Sequence, residues 1–168
     1  MIKFLPTSFA FILLFCGNSF AEPTIQETNY FASLRASETN VRSGPGQSYP
    51  IKFTYKIKSI PVRVINEYDN WSEIEDYEKQ TGWINQSLLT KKRTLMVRIS
   101  KDFTDMHNKD NESSRIIYHL ENNVIGEYLK CLENWCGVKI NNKKGWVLKS
   151  DLFGVDEEIV KKEETKNN

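Results

Sequence analysis

Few side chains in this chain are equipped for covalent chemistry, and they are scattered. His107 and His119 are the two imidazole bases, and the cysteines are Cys16, Cys131 and Cys136. Nucleophilic catalysis needs a Ser or Cys beside a base that a third group orients. His107 falls in a polar stretch read as a loop and His119 in the strand-like IIYHLEN, so both are read as surface or boundary residues. Glycan cleavage needs two carboxyl groups flanking a bond, and the acidic run Glu73-Ile74-Glu75-Asp76-Tyr77-Glu78 could supply them. That run lies between Trp71 and Trp83, where a hairpin tip is expected, and charged tips are usually solvated turns. The stretch TNVRSGPGQSYPI, residues 39–51, has the glycines of a phosphate cradle. A phosphate loop opens a helix; here Pro50 and more strand follow, and Pro45 removes an N–H that a cradle would use. These residues define no catalytic group, metal-ligand set or cofactor site, and the reading is a protein that is not an enzyme.

What remains is recognition by a surface. An arginine near tyrosine and tryptophan can hold a carboxylate in a bidentate pair and stack on a flat group. Arg42, Ser43, Tyr49, Tyr68 and Trp71 are the expected ligand-binding residues, with Trp83 as a further candidate. The elements that must position them come from a repeat. YDNWSEI and TGWINQSLL in the first half answer LENWCGV and KGWVLKSDLF in the second, with Trp71 to Trp135 a shift of 64 and Trp83 to Trp146 a shift of 63. TNVRSGPGQSYPI lines up loosely with TDMHNKDNESSRII, where Lys109-Asp110-Asn111 replaces the Gly-Pro-Gly.

Within each unit apolar residues alternate over short runs, as in 61–65, 71–74 and 138–140. Turn residues stand between them: Gly44-Pro45-Gly46, Tyr68-Asp69-Asn70, Gly82 and Asn141-Asn142. This pattern predicts short strands in small antiparallel barrels or sandwiches. Val41, Val62, Val64 and Ile74 are expected to fill a core, together with Trp83 and Trp146 behind their glycines. Units of about 60 residues are marginal alone, so aromatic burial must contribute heavily. LLTKKRTLMVRIS reads as a short joint between the units.

The first residues, Met1-Ile2-Lys3 followed by the apolar FLPTSFAFILLFC and then GNSFAEPT, describe a secretory leader cleaved after Ala21. A buried N-terminal helix and a lipid anchor on Cys16 are the alternatives; Phe15 before that cysteine disfavours the anchor. The apolar run is short for a membrane span. Of 23 Lys and Arg, one, Lys3, leaves with the leader, matching the 22 Asp and Glu. A formally neutral chain gives no electrostatic case for nucleic acid or an anionic membrane surface. Two cysteines then remain, and an even count in an exported chain reads as one disulfide, Cys131 to Cys136. The intervening residues 132–135 would form a hairpin turn. A metal site helped by a histidine, or a redox-active pair, is the rival, and neither shows a recognised ligand spacing.

SLRASETNVRSGPGQSYPI, IPVRVINEYDNWSEIED, GWINQSLLTKKRT and YLKCLENWCGVK with GWVLKSDLFGV together resemble bacterial SH3-like domains. More narrowly they resemble the exported two-repeat type common in alphaproteobacteria, over about residues 30–155. The resemblance implies an all-β chain of two tandem small SH3-like barrels, 28–92 and 93–155, after a signal peptide, 1–21, with a charged tail, 156–168. It also implies a periplasmic location and a binding role, with cell-wall peptidoglycan or its stem peptides as the expected partner, or else an envelope protein docked as an adaptor would dock it. No nucleic acid, membrane span after leader removal or cofactor is expected.

Overall fold

The computed structural model describes residues 24–155. The expectations for residues 1–21, including cleavage after Ala21 and the fate of Cys16, lie outside the described residues, as does the tail at 156–168.

Strand follows strand. The first unit runs through β1 (Gln26–Leu34), β2 (Thr39–Arg42), β3 (Ile51–Tyr55), β4 (Pro61–Tyr68), β5 (Trp71–Glu75), β6 (Thr81–Asn85), a 3-10 turn (Gln86–Leu88) and β7 (Leu89–Thr90). The second repeats the order with β8 (Thr94–Val97), β9 (Phe103–His107), β10 (Ile116–Glu121), β11 (Ile125–Leu132), β12 (Trp135–Ile140), β13 (Lys143–Leu148), a 3-10 turn (Lys149–Asp151) and β14 (Leu152–Phe153). Each unit is a seven-stranded antiparallel sheet, ordered β3-β2-β6-β5-β4-β1-β7 and β10-β9-β13-β12-β11-β8-β14, coiled around its own core. The expected all-β pair of tandem SH3-like barrels is therefore what the chain forms.

The repeat extends to single hydrogen bonds. Ser59 N–H donates to Leu34 C=O at 2.8 Å, and Asn123 N–H to Val97 C=O at 2.9 Å. Both donors have positive φ, 65° and 68°. The bulge between Val64 and Asn66 recurs between Tyr128 and Lys130.

Alternation along each strand fills the cores. Val41, Val62, Val64, Ile74 and Ile84 are fully buried in the first, and Leu95, Val97, Met106, Val138 and Val147 in the second. Each such side chain contributes roughly 1.5–3 kcal/mol by burial. Gly82, expected in a turn, lies inside β6 and faces the core. A Cβ there would stand 2.5 Å from Val41 Cγ1; at Gly145, the matching position in β13, it would stand 2.6 Å from Met106 Cε. Strand parity therefore turns the following tryptophans outward. Trp83 is 7% exposed but belongs to the outer face, and Trp146 is half-buried, so neither fills a core as expected.

Cys131 and Cys136 are joined, with Cα atoms 4.0 Å apart at a directly paired position of β11 and β12. The turn is tighter than the expected four residues. Leu132 and Trp135 pair with each other, so only Glu133 and Asn134 turn, as Asp69 and Asn70 do between Tyr68 and Trp71. A ring this small stabilises by about 2 kcal/mol in the chain-entropy account.

The barrels pack directly on each other. Met96 and Ile125 of the second unit join the first core. Phe31 meets Phe153 edge to face with centroids 5.3 Å apart. Buried Ser33 and Thr94 share a hydroxyl hydrogen bond of 2.7 Å, and Thr94 Oγ1 donates to Ser59 C=O at 2.7 Å.

Candidate functional site

The loop after β2 is held by its own side chains. Ser43 N–H donates to Pro50 C=O at 3.0 Å, closing the loop. The Tyr49 ring lies on the glycines: a Cβ at Gly44 would sit 2.4 Å from Tyr49 Cδ1, and one at Gly46 3.3 Å from Cδ2. Neither glycine has the positive φ that would require it, so close approach of the ring is the reason for Gly-Pro-Gly. Arg42 Nη1 donates to Tyr49 C=O at 2.8 Å, fixing the guanidinium against the loop. Tyr49 remains 45% exposed, and Ser43 is exposed beside it.

The second barrel fastens the same loop differently. Asn108 N–H donates to Arg115 C=O at 2.9 Å, matching the Ser43 bond. Ser114 stands where Tyr49 would, and its hydroxyl bonds Lys109 C=O and Asn111 C=O at 3.1 and 2.9 Å. With no ring to seat, the glycines are dispensable. His107 takes the place of Arg42: its Nδ1 lies 3.0 Å from Ser114 C=O, an oxygen that only accepts, so Nδ1 carries the proton. Read as a loop residue at the surface, His107 instead ends β9 at 6% exposure, edge-on to Trp135 with centroids 5.3 Å apart.

Cross-strand register assembles the outer face of the first barrel. Arg42 pairs with Trp83, Trp83 with Glu73, and Glu73 with Asn66, giving one row across β2, β6, β5 and β4. Asn66 Nδ2 donates to Glu73 Oε2 at 2.8 Å. The neighbouring row is Asn85, Trp71 and Tyr68. Arg42, Tyr68 and Trp71 thus share one face, with Ser43 and Tyr49 at its loop end. Of four hollows among the described residues, of about 950, 590, 300 and 230 Å³, the first is lined by the first barrel and Arg93, the second and fourth by both barrels and the third by the second barrel, and none of the four is lined by these five residues.

The acidic run is not the solvated tip expected of it. Glu73 and Glu75 stand on β5, Glu75 with Lys79 at 3.0 Å and Arg63 at 4.0 Å. Asp76 is buried and accepts from Tyr55 Oη at 2.7 Å and from the N–H groups of Glu78 and Gln80 at 2.8 and 2.9 Å. Burial, then that bond, pushes the Tyr55 phenol well above its ordinary range. Sequence reasoning took Asp76 only as one carboxylate of a solvated tip; the signal for its role is a short acidic side chain opening a turn that returns to strand. His119 is exposed, as read, with Nδ1 2.6 Å from Asp105 Oδ1. Among the described residues no helix is long and apolar enough to cross a membrane.

Two small coiled antiparallel sheets, each with a fastened loop beside an outward tryptophan, define a tandem module of the SH3-like class. The chain belongs to the bacterial SH3 domain family, whose model matches residues 35–91 and 101–154, more than half of the chain. No curated protein matches it. Among solved structures it is similar to NlpC2 from Trichomonas vaginalis, at 11% identity and a TM-score of 0.35, covering 79% of this chain and 52% of that one. It is also similar to an NlpC/P60 family protein from Bacillus cereus, at 13% identity and a TM-score of 0.33, covering 73% and 55%. The chain spans about half the length of these proteins. Likenesses at such scores carry no weight for activity.

Proposed function

We propose that the protein is an exported, non-enzymatic binding module of the cell envelope, and that its ligand is peptidoglycan, taken through the carboxylates of the stem peptides. The observation that carries this reading is the outer face of the first barrel, where Arg42 stands in register with Trp83 beside the row of Trp71 and Tyr68. One Arg42 N–H is committed to Tyr49 C=O, which orients a guanidinium that has further donors for a carboxylate. Tyr49 and Trp71 supply flat surfaces at either side. Family membership supports a binding role, and the disulfide supports an oxidising compartment such as the periplasm.

Purified wall sacculi should retain the protein at low salt. Arg42→Lys, which keeps the charge but loses the planar fork, should weaken retention about tenfold. Absence of retention at low salt contradicts the reading.

A second reading has its own support. β3 is an edge strand, with Ile51 half exposed, and an extended peptide of an envelope protein or wall hydrolase could add to it as a further strand. In-cell crosslinking would then give one discrete protein partner, weakened in Ile51→Glu while the fold is kept; a wall-only adduct rejects it.

A further inference from the structure

Phe31 is the wall between the two largest hollows described above, at about 950 and 590 Å³. The larger is lined by Tyr30, Phe31, Arg35, Glu67, Lys91 and Arg93 among others, the smaller by Phe31, Arg63, Lys149 and Phe153. Both barrels contribute to the smaller, since Phe31 comes from β1 and Phe153 from β14. Charge is segregated here in a chain whose formal net charge is only +1. Five cations line the pair of hollows against one carboxylate, Glu67, whose Oε1 already accepts from Tyr30 Oη at 2.7 Å.

Two of the five are part of the packing. The Arg63 guanidinium lies 5.0 Å from the Phe31 ring centroid, with Glu75 4.0 Å from its Nε. Arg93 lies 4.1 Å from Tyr128 and donates to Gly154 C=O at 3.0 Å. The cationic excess does not depend on them, because Arg35, Lys91 and Lys149 alone outnumber Glu67. Arg35 spends one donor on Leu89 C=O at 3.1 Å, a bond that orients its charge without cancelling it.

We propose that this junction is a binding site for an acidic peptide, whose carboxylates meet Arg35 and Lys91 on one side of Phe31 and Lys149 on the other. Two cationic hollows separated by an aromatic wall need a ligand with several carboxylates along an extended chain. A flat bilayer does not follow a surface whose cations line two separate hollows on opposite sides of the Phe31 ring. The site requires both units, which gives the tandem arrangement a role that neither barrel has alone. It is independent of the peptidoglycan reading, since Arg42, Tyr49 and Trp71 do not line it.

The test is fluorescence anisotropy of the full chain with fluorescein-labelled hexaglutamate at low salt. The double variant Lys91→Glu/Lys149→Glu should lose about tenfold or more in affinity, and raising salt should weaken binding further. Lys109→Glu/Lys144→Glu, the same charge change on the second barrel away from the junction, should bind like the parent. Amide shifts on titration should fall on Tyr30, Phe31 and Phe153, a readout that does not rely on any variant folding. No binding, an equal loss in the control double variant, or stronger binding to phosphatidylglycerol vesicles than to the peptide would each overturn the proposal.

Discussion

Asp76 stands in an acidic run where a hydrated carboxylate would be unremarked, yet three donors converge on it. Two come from the turn that joins β5 to β6 and one from Tyr55, which packs against the first core. Asp76→Ala would leave these donors unpaired in a buried place and should cost about 3 kcal/mol in urea unfolding; a loss under about 0.5 kcal/mol would show that water replaces the carboxylate. Tyr30 gives a pH dependence. Partial burial and its bond to the Glu67 carboxylate push its phenol from 10 up to about 12. The folded state holds this proton more tightly than the unfolded chain does. Its contribution to stability is therefore complete below pH 10 and is lost as pH rises toward about 12. In Tyr30→Phe, stability should fall less steeply across that interval, and an ultraviolet titration should show one phenol fewer ionising near its top. An unchanged profile would mean that the Glu67 bond does not persist in solution.

Gly-Trp was legible as a repeated dipeptide before its geometry was. Apolar alternation located the strands that hold Val41, Val62, Val64 and Ile74, all fully buried. Trp83 and Trp146 follow glycines yet do not enter the cores, because Gly82 and Gly145 themselves take the inward positions against Val41 and Met106. His107 was misplaced for a related reason. Its polar neighbours hid the fact that it occupies the Arg42 position and does the same fastening with a different side chain. Register, which brings Arg42 beside Trp83 and Tyr68 beside Trp71, depends on bulges and two-residue turns that composition does not specify. The glycines give a graded prediction. Gly82→Ala and Gly145→Ala place a Cβ within 2.9 and 2.7 Å of backbone oxygens of the neighbouring strand and should each cost about 2 kcal/mol or more. Gly137→Ala meets nothing nearer than 3.5 Å and should be neutral within about 0.5 kcal/mol. Equal costs at all three, in thermal or urea unfolding, would contradict the assignment of inward and outward faces.

At the scale of the whole molecule, the barrels are copies in topology but differ in surface. The first carries Arg42, Tyr49, Tyr68 and Trp71 on one outer face, and the second has His107, Ser114, Leu132 and Trp135 at the matching places. Their junction is a packed interface of Ser33, Thr94, Phe31 and Phe153 rather than a loose tether. Such a body can present two distinct surfaces at fixed relative positions, one on the first barrel and one between the barrels. The central claim concerns the first of these. Amide and indole N–H shifts of the isotope-labelled protein, followed while a soluble stem peptide is added, test it most directly. The account predicts shifts at Arg42, Ser43, Tyr49, Tyr68 and the Trp71 indole, with His107 and Trp135 unmoved. No shifts with millimolar peptide, or shifts confined to the second barrel or the junction, would contradict it.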